Sequence, residues 1–270
     1  MSVQVPALWG VLNVTPDSFS DGGLYLDAGA AIARGVQMAE EGASVIDVGA
    51  ESTRPGATRI DQETEIARLE PVVRGLVLEG IRVSVDTMRA EAAMRMVDCG
   101  AAIINDVSGG QADPDMCHRV ATAGVDYVLM HWRGHSDQMD SLAHYGDVVT
   151  DVTAELGTQR DKAVEAGIDP ERITLDPGIG FAKDASHNWE LLRTIEVIAQ
   201  MGHGVLVGAS RKRFLGALLP EGHSATERDG VSVALSVALA GRGVTALRVH
   251  EPRPHREALE VWQRVQRGGQ

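Results

Sequence analysis

Eight times along this chain a short apolar run ends on a polar residue, enters a loop, and is followed by a stretch whose apolar positions recur at helical spacing. The runs are Ala7–Leu12, Ala43–Val48, Arg82–Val85, Ala102–Asn105, Asp126–Met130, Ile173–Leu175, Gly204–Val207 and Thr245–Val249. They read as strands buried on both faces, the habit of parallel sheets. Between them, Ala28–Glu41 carries Ile32, Val36 and Ala39 on one helical face, and Glu63–Glu79 carries Ile66, Leu69, Val73 and Leu76. Later helices follow Asp113-Pro114, span Val148–Ala166, Asn188–Met201 and Thr226–Ala240, and close the chain at Pro254–Val265. Eight such units predict a single α/β domain over residues 1–270, a (β/α)8 TIM barrel. An open doubly wound sheet is the alternative that periodicity leaves standing. A hydrophobic share of 44% over 270 residues supplies a core of that size.

Local signals sharpen the outline. Asp27 predicts a cap on the first helix, and Asp113 with Pro114 a cap and first-turn proline for the helix after the fourth strand. Pro71 predicts a kink or break in the second helix. Thr226-x-x-Asp229 resembles a capping box. Three loops are long for this architecture: NVTPDSFSDGG after strand one, GAESTRPGATR after strand two, and Trp132–Asp147 after strand five. Loops of that length between a strand and its helix are usually functional.

Every strand ends on a polar group: Asn13, Asp47, Asp86, Asn105, His131, Asp176, Ser210 and His250. Any one of these could cap a helix or satisfy a loop. In a barrel, however, all strand C-termini share one rim, so the set converges. Asp86, Asn105 and Asp176 suit a flat heterocycle with several N–H donors and ring nitrogens, since a carboxylate accepts two parallel hydrogen bonds from adjacent donors. Lys212, one of three lysines with Lys162 and Lys183, is the candidate cation facing them. Asn13, Arg248 and His250 offer donors without a carboxylate, the balance that a phosphate or diphosphate asks for. SRKRFLG reads as a short helix start on the same side, with a solvated charge run as the plainer reading of Arg211, Lys212 and Arg213. No P-loop, HExxH, dinucleotide glycine fingerprint or Ser-His-Asp order occurs.

A formal charge of −13 argues against general affinity for nucleic acid or anionic membrane. Cys99 and Cys117 make neither a metal-ligand spacing nor a disulfide framework. With no leader-like segment and no run long enough to span a bilayer, the expectation is a soluble cytoplasmic enzyme or binding protein.

NVTPDSFSDGG, DVGAESTRPGA, VSVDT, INDVSGG, MHW, DPGIGFAK, GASRKRFLG and RVH, in this order over nearly the whole chain, resemble the dihydropteroate synthases of the pterin-binding family. The resemblance implies a (β/α)8 barrel that condenses 4-aminobenzoate with 6-hydroxymethyl-7,8-dihydropterin diphosphate to 7,8-dihydropteroate in folate synthesis. It places Asp86, Asn105, Asp176 and Lys212 on the pterin, and Asn13, Arg248 and His250 on the diphosphate. Asn13 would also help to hold Mg²⁺, the implied cofactor. Asp21, Thr53 and Arg54 would act with Lys212 in catalysis as the first two loops close. Thr53, Arg54, Pro55, Phe181, Lys212 and Arg213 would form the aminobenzoate pocket. The family mechanism breaks the C–O bond to diphosphate largely before the amine attacks. A cytoplasmic homodimer, joined through helices late in the barrel, is also implied. Glu251-Pro252 after RVH departs from the usual aspartate and aliphatic residue. A pterin-binding methyltransferase with a corrinoid partner, and a non-catalytic pterin-binding paralogue, are the alternative readings.

Overall fold

Eight parallel strands close on themselves in sequence order. They are β1 (Ala7–Asn13), β2 (Val45–Gly49), β3 (Val83–Asp86), β4 (Ile103–Asp106), β5 (Asp126–Met130), β6 (Ile173–Asp176), β7 (Gly204–Val207) and β8 (Ala246–Val249). β1 completes the ring by pairing with both β2 and β8. This computed structural model describes residues 4–15, 24–51, 59–135 and 139–267. The closed barrel expected from periodicity is therefore the fold, and the open sheet is excluded.

The helices are α1 (Leu24–Glu40), α2 (Gln62–Leu78), α3 (Ala90–Asp98), α4 (Met116–Ala123), α5 (Val148–Glu165), α6 (Ala185–Arg193), α7 (Glu196–Ala199), α8 (Arg213–Gly216), α9 (Asp229–Leu239) and α10 (Pro252–Gln266). Strand side chains alternate in direction, and the two directions build two cores. Outward positions such as Ile46, Val48, Val85, Ile104, Leu129, Leu175 and Leu247 pack on helix faces that include Leu69, Leu76, Met96, Leu156 and Leu191. Inward positions Trp9, Val45, Ile103, Val128, Leu206 and Ala246 form a separate cluster that fills the barrel floor. Two residues further along the same strands, the inward positions are Val11, Asp47, Asn105, Met130, Gly208 and Arg248. The lumen thus turns from apolar to charged within one layer.

Several strands run past their apolar segments. β1 ends on Asn13, β3 on Asp86 and β6 on Asp176, because ladder pairing uses backbone and is indifferent to side-chain polarity. Three local expectations need correction. α1 begins at Leu24, so Asp27 lies inside it and is not its cap; Leu24–Asp27 contains no glycine, proline or β-branched residue to oppose the helix. α2 runs unbroken through Pro71. Its fully buried Leu69, Val72, Val73 and Leu76 hold the backbone against a proline penalty of about 3 kcal/mol. Asp113 accepts the Asp115 N–H on Oδ1 at 3.0 Å at the turn into α4, as expected, and its Oδ2 also accepts from the Ala90 N–H at 2.8 Å, so it caps α3 from across a loop as well. The box expected at Thr226 and Asp229 forms earlier, where the Glu227 carboxylate accepts from the Ser224 N–H at 2.6 Å. Asp229 is engaged instead by Arg211.

Candidate active site

The charged layer is a bonded set. Arg248, rising from β8, donates its Nε to Asp47 Oδ2 at 2.5 Å and its Nη2 to Asp86 Oδ2 at 2.9 Å. Asn105 Nδ2 donates to the same Asp47 oxygen at 3.0 Å. Four strands, β2, β3, β4 and β8, therefore send polar groups to one point, as their inward register requires. Asp47 is fully buried and Asp86 nearly so. Burial pushes the Asp86 carboxyl up to about 7, with Arg248 pulling the other way and the neighbouring Asp47 charge adding to the rise.

Asp176 closes the set from β6. Burial raises its pKa, opposed first by Lys212 and then by the Gly178 N–H, which donates to Oδ1 at 2.7 Å. The turn that delivers that N–H needs glycine: Gly178 has φ +68°, and a Cβ there would lie 2.4 Å from the His131 carbonyl oxygen. Gly180, at φ +79°, likewise leaves room for the Lys212 stem, which a Cβ would meet at 2.7 Å. Lys212 donates to the Ile179 carbonyl, and its Nζ lies 4.3 Å from the centre of the Phe181 ring. Burial lowers Lys212 to about 8 against the pull of Asp176. Beside Asp86 an open cleft runs between Glu51, Arg59, Glu65, Trp132, Met139 and Phe181, so its walls are charged as well as aromatic and aliphatic.

The structure brings Asp86, Asn105, Asp176, Lys212, Phe181 and Arg248 to this mouth. Asn13 ends β1 beside Gly49. His250 follows β8, with Nδ1 3.0 Å from Ser210 Oγ. Arg213 is exposed at the first position of α8. Asp21, Thr53, Arg54 and Pro55 lie outside the described residues. Arg211 is not part of a solvated run: at φ +61° it forks onto Asp229 with two 2.7 Å contacts and reaches Glu251. Glu251 also takes Arg34 of α1 at 2.7 Å, and Pro252 opens α10. The departure after RVH is thereby absorbed as scaffold.

His131 belongs to the rim in sequence but faces outward. Its Nε2 lies 2.9 Å from Glu155 of α5 and its Nδ1 2.9 Å from Lys183 Nζ. Burial and the adjacent lysine lower His131 to about 4, so the ring is neutral and Lys183 donates to it. Lys183, itself lowered to about 7 by burial, also donates to the Phe181 carbonyl at 3.0 Å. Sequence reasoning missed this strut under the Phe181 loop. The only hint was a lysine in a lysine-poor chain. It also passed over Asp106, one residue beyond Asn105 and so turned outward, where it takes Ser108, Gly110 and the Tyr127 hydroxyl at 2.7–2.8 Å.

The family model described as "Pterin binding enzyme" matches residues 9–250. The dihydropteroate synthase of Mycobacterium leprae is 48% identical, over 97% of this chain and 94% of its own. Among solved structures, Xanthomonas albilineans dihydropteroate synthase with 4-aminobenzoic acid superposes with a TM-score of 0.91 at 42% identity, covering 97% of this chain and 93% of that one. The same enzyme in complex with 7,8-dihydropteroate gives 0.88 at 38% identity, covering 98% and 95%. With sequence, fold and the carboxylate-lined mouth in agreement, this chain belongs to the pterin-binding enzymes and, within them, to the dihydropteroate synthases.

Proposed function

We propose that the chain joins 4-aminobenzoate to 6-hydroxymethyl-7,8-dihydropterin diphosphate, giving 7,8-dihydropteroate and diphosphate. The observation that carries this is the meeting of Asp86, Asn105 and Asp176 with Lys212 and Arg248 at one mouth. Acceptors for a ring with N–H donors stand there next to cations for a leaving group. Asp176 reads the amino-pyrimidine edge, with Asp86 and Asn105 on the remaining ring donors and acceptors. Lys212 faces the ring oxygen, and its seat beside Phe181 supports a second role on the aminobenzoate wall. Arg248, His250 and Asn13 take the diphosphate. As the C–O bond breaks, negative charge collects on the departing oxygens, where fixed cations lower the barrier. The amine nitrogen then bonds to the freed carbon and gives its proton to water.

Asn13 offers one hard oxygen at the end of β1. A Mg²⁺ ion that takes most of its ligands from diphosphate and water asks little more of the protein, so Asn13 fits as its protein ligand. When bound, Mg²⁺ supplies further charge neutralisation on the leaving group. A chelator is expected to abolish turnover and excess Mg²⁺ to restore it; undiminished turnover in chelator removes the metal from the reading. Asp21, Thr53, Arg54, Pro55 and Arg213 complete the aminobenzoate side. Arg54→Ala is expected to lower kcat at least tenfold with little change in pterin affinity, and an unchanged kcat in steady-state assays refutes that role.

Among the described residues no helix is long and apolar enough to cross a membrane. A cytoplasmic homodimer fits two free cysteines and the exposed Trp189, Val261 and Val265 on late helices. Incubation with Mg²⁺, dihydropterin diphosphate and labelled 4-aminobenzoate tests the whole reading: labelled dihydropteroate supports it, and its absence with bound pterin points to a non-catalytic binder.

A further inference from the structure

Asp47 has no part in the reaction as proposed, yet it is the carboxylate on which two substrate-facing groups converge. It does not cap α2, since Asp61 does. It is not on the surface, being 0% exposed. Both of its contacts fall on Oδ2, from Arg248 Nε and Asn105 Nδ2, while Oδ1 is buried without a partner among the described residues. A carboxylate can only accept here, so it dictates which way each neighbour turns. The Asn105 amide must point its nitrogen at β2 and keep its oxygen for another donor. The Arg248 guanidinium commits its Nε–Nη2 edge to Asp47 and Asp86 and keeps Nη1 for another acceptor.

We propose that Asp47 is a positioning residue: it pins the Arg248 Nε–Nη2 edge and the Asn105 amide together, so that Arg248 turns Nη1 toward the diphosphate while Asn105 keeps its oxygen toward the ring. The inference rests on the reading of this mouth as a pterin and diphosphate site. Its consequence is coupling between the two ends of the substrate. Asp47 orients one group toward each end, so diphosphate that orders the Arg248 fork also orders the Asn105 amide through the shared carboxylate, and linkage makes the effect reciprocal. Without the Asp47 pivot the guanidinium keeps only its Asp86 contact and the Asn105 amide is free to turn.

The charged groups whose fields reach Asp86 are Arg248 from β8, Asp47 from β2, Glu65 from α2, Asp106 from β4, and Lys212 beyond β7. Asp47 is among those that raise it. Removing that charge lowers the pH at which Asp86 becomes an acceptor. A residue that merely fills space would leave this pH unchanged.

The test compares wild type with the isosteric Asp47→Asn variant by calorimetry, with 6-hydroxymethylpterin and inorganic diphosphate as probes from pH 5.5 to 9. In wild type, saturating diphosphate is expected to tighten pterin binding about fivefold or more. In Asp47→Asn that enhancement disappears, and the acid limb of pterin binding moves to lower pH. Absence of coupling in wild type, equal coupling in both proteins, or an unmoved acid limb would each overturn the inference. Should Asp47→Asn not fold, NMR of wild-type arginine side chains decides. An Arg248 Nε–H that stays protected from exchange with and without diphosphate supports the pivot, and free exchange overturns it. If wild type neither binds the pterin nor forms dihydropteroate, the reading of the site has failed first, which the product assay reveals independently.

Discussion

Asp176→Ala is expected to weaken pterin binding by roughly 3 kcal/mol or more, about 150-fold, in calorimetric titration at pH 8. Two losses add. The ring edge loses an ionised acceptor for two donors, and the buried Lys212 loses the carboxylate that opposes its desolvation. Asp176 also holds the Gly178 N–H, so the alanine variant could shift the loop that carries Phe181. Asp176→Asn separates the effects: it can still accept from Gly178 but carries no charge and presents an amide donor to the ring. It too should bind the pterin at least tenfold more weakly. Wild-type affinity in the asparagine variant would remove Asp176 from the recognition of the ring.

The second large effect is on stability. Arg248→Met keeps a long flexible side chain but leaves Asp47 and Asp86 without their shared cation. Breaking a buried pair from one side costs about 3–5 kcal/mol, because the uncompensated charge stays behind. The pH dependence has a fixed sign. Asp86 is already raised in the folded protein, to about 7 against an ordinary 3.8. A carboxyl raised on folding favours the fold fully at acid pH and loses that contribution as pH climbs through its folded value. Arg248 holds Asp86 down, so its removal sends the folded value higher still. Denaturant unfolding should therefore show a larger deficit for Arg248→Met at pH 8 than at pH 5.5, where protonation relieves the lone carboxylate. Equal deficits at the two pH values would mean that side-chain packing, not charge, is what Arg248 contributes.

How far the sequence carried the site depended on the range of the interaction. Asp86, Asn105 and Asp176 were legible because each ends an apolar run, and closed barrels bring such ends to one rim. Their inward direction follows from a two-residue period that needs no tertiary knowledge. His131 shows the limit of the same reasoning. It ends its strand like the others, but one step of pleat turns it away from the lumen onto Glu155 and Lys183. Asp113 shows another limit: one of its oxygens serves the turn into the next helix, but the other satisfies an N–H of α3, which no local pattern announces.

The sequence by itself determined the eight repeating units and, through its motifs, the resemblance to a family, because periodicity and local motifs are short-range properties that survive in one dimension; closure of the sheet came with the pairing of β1 to β8. Only the tertiary structure decided that Arg248 lies between Asp47 and Asp86, that a buried His131–Lys183 strut supports the Phe181 loop, and that Glu251 serves the scaffold. Arg248 and Asp47 stand 201 residues apart. Whether a cation rests on a carboxylate or waits for a substrate is set by distances and burial that arise only once the strands have closed, and desolvation then fixes the charge each group carries.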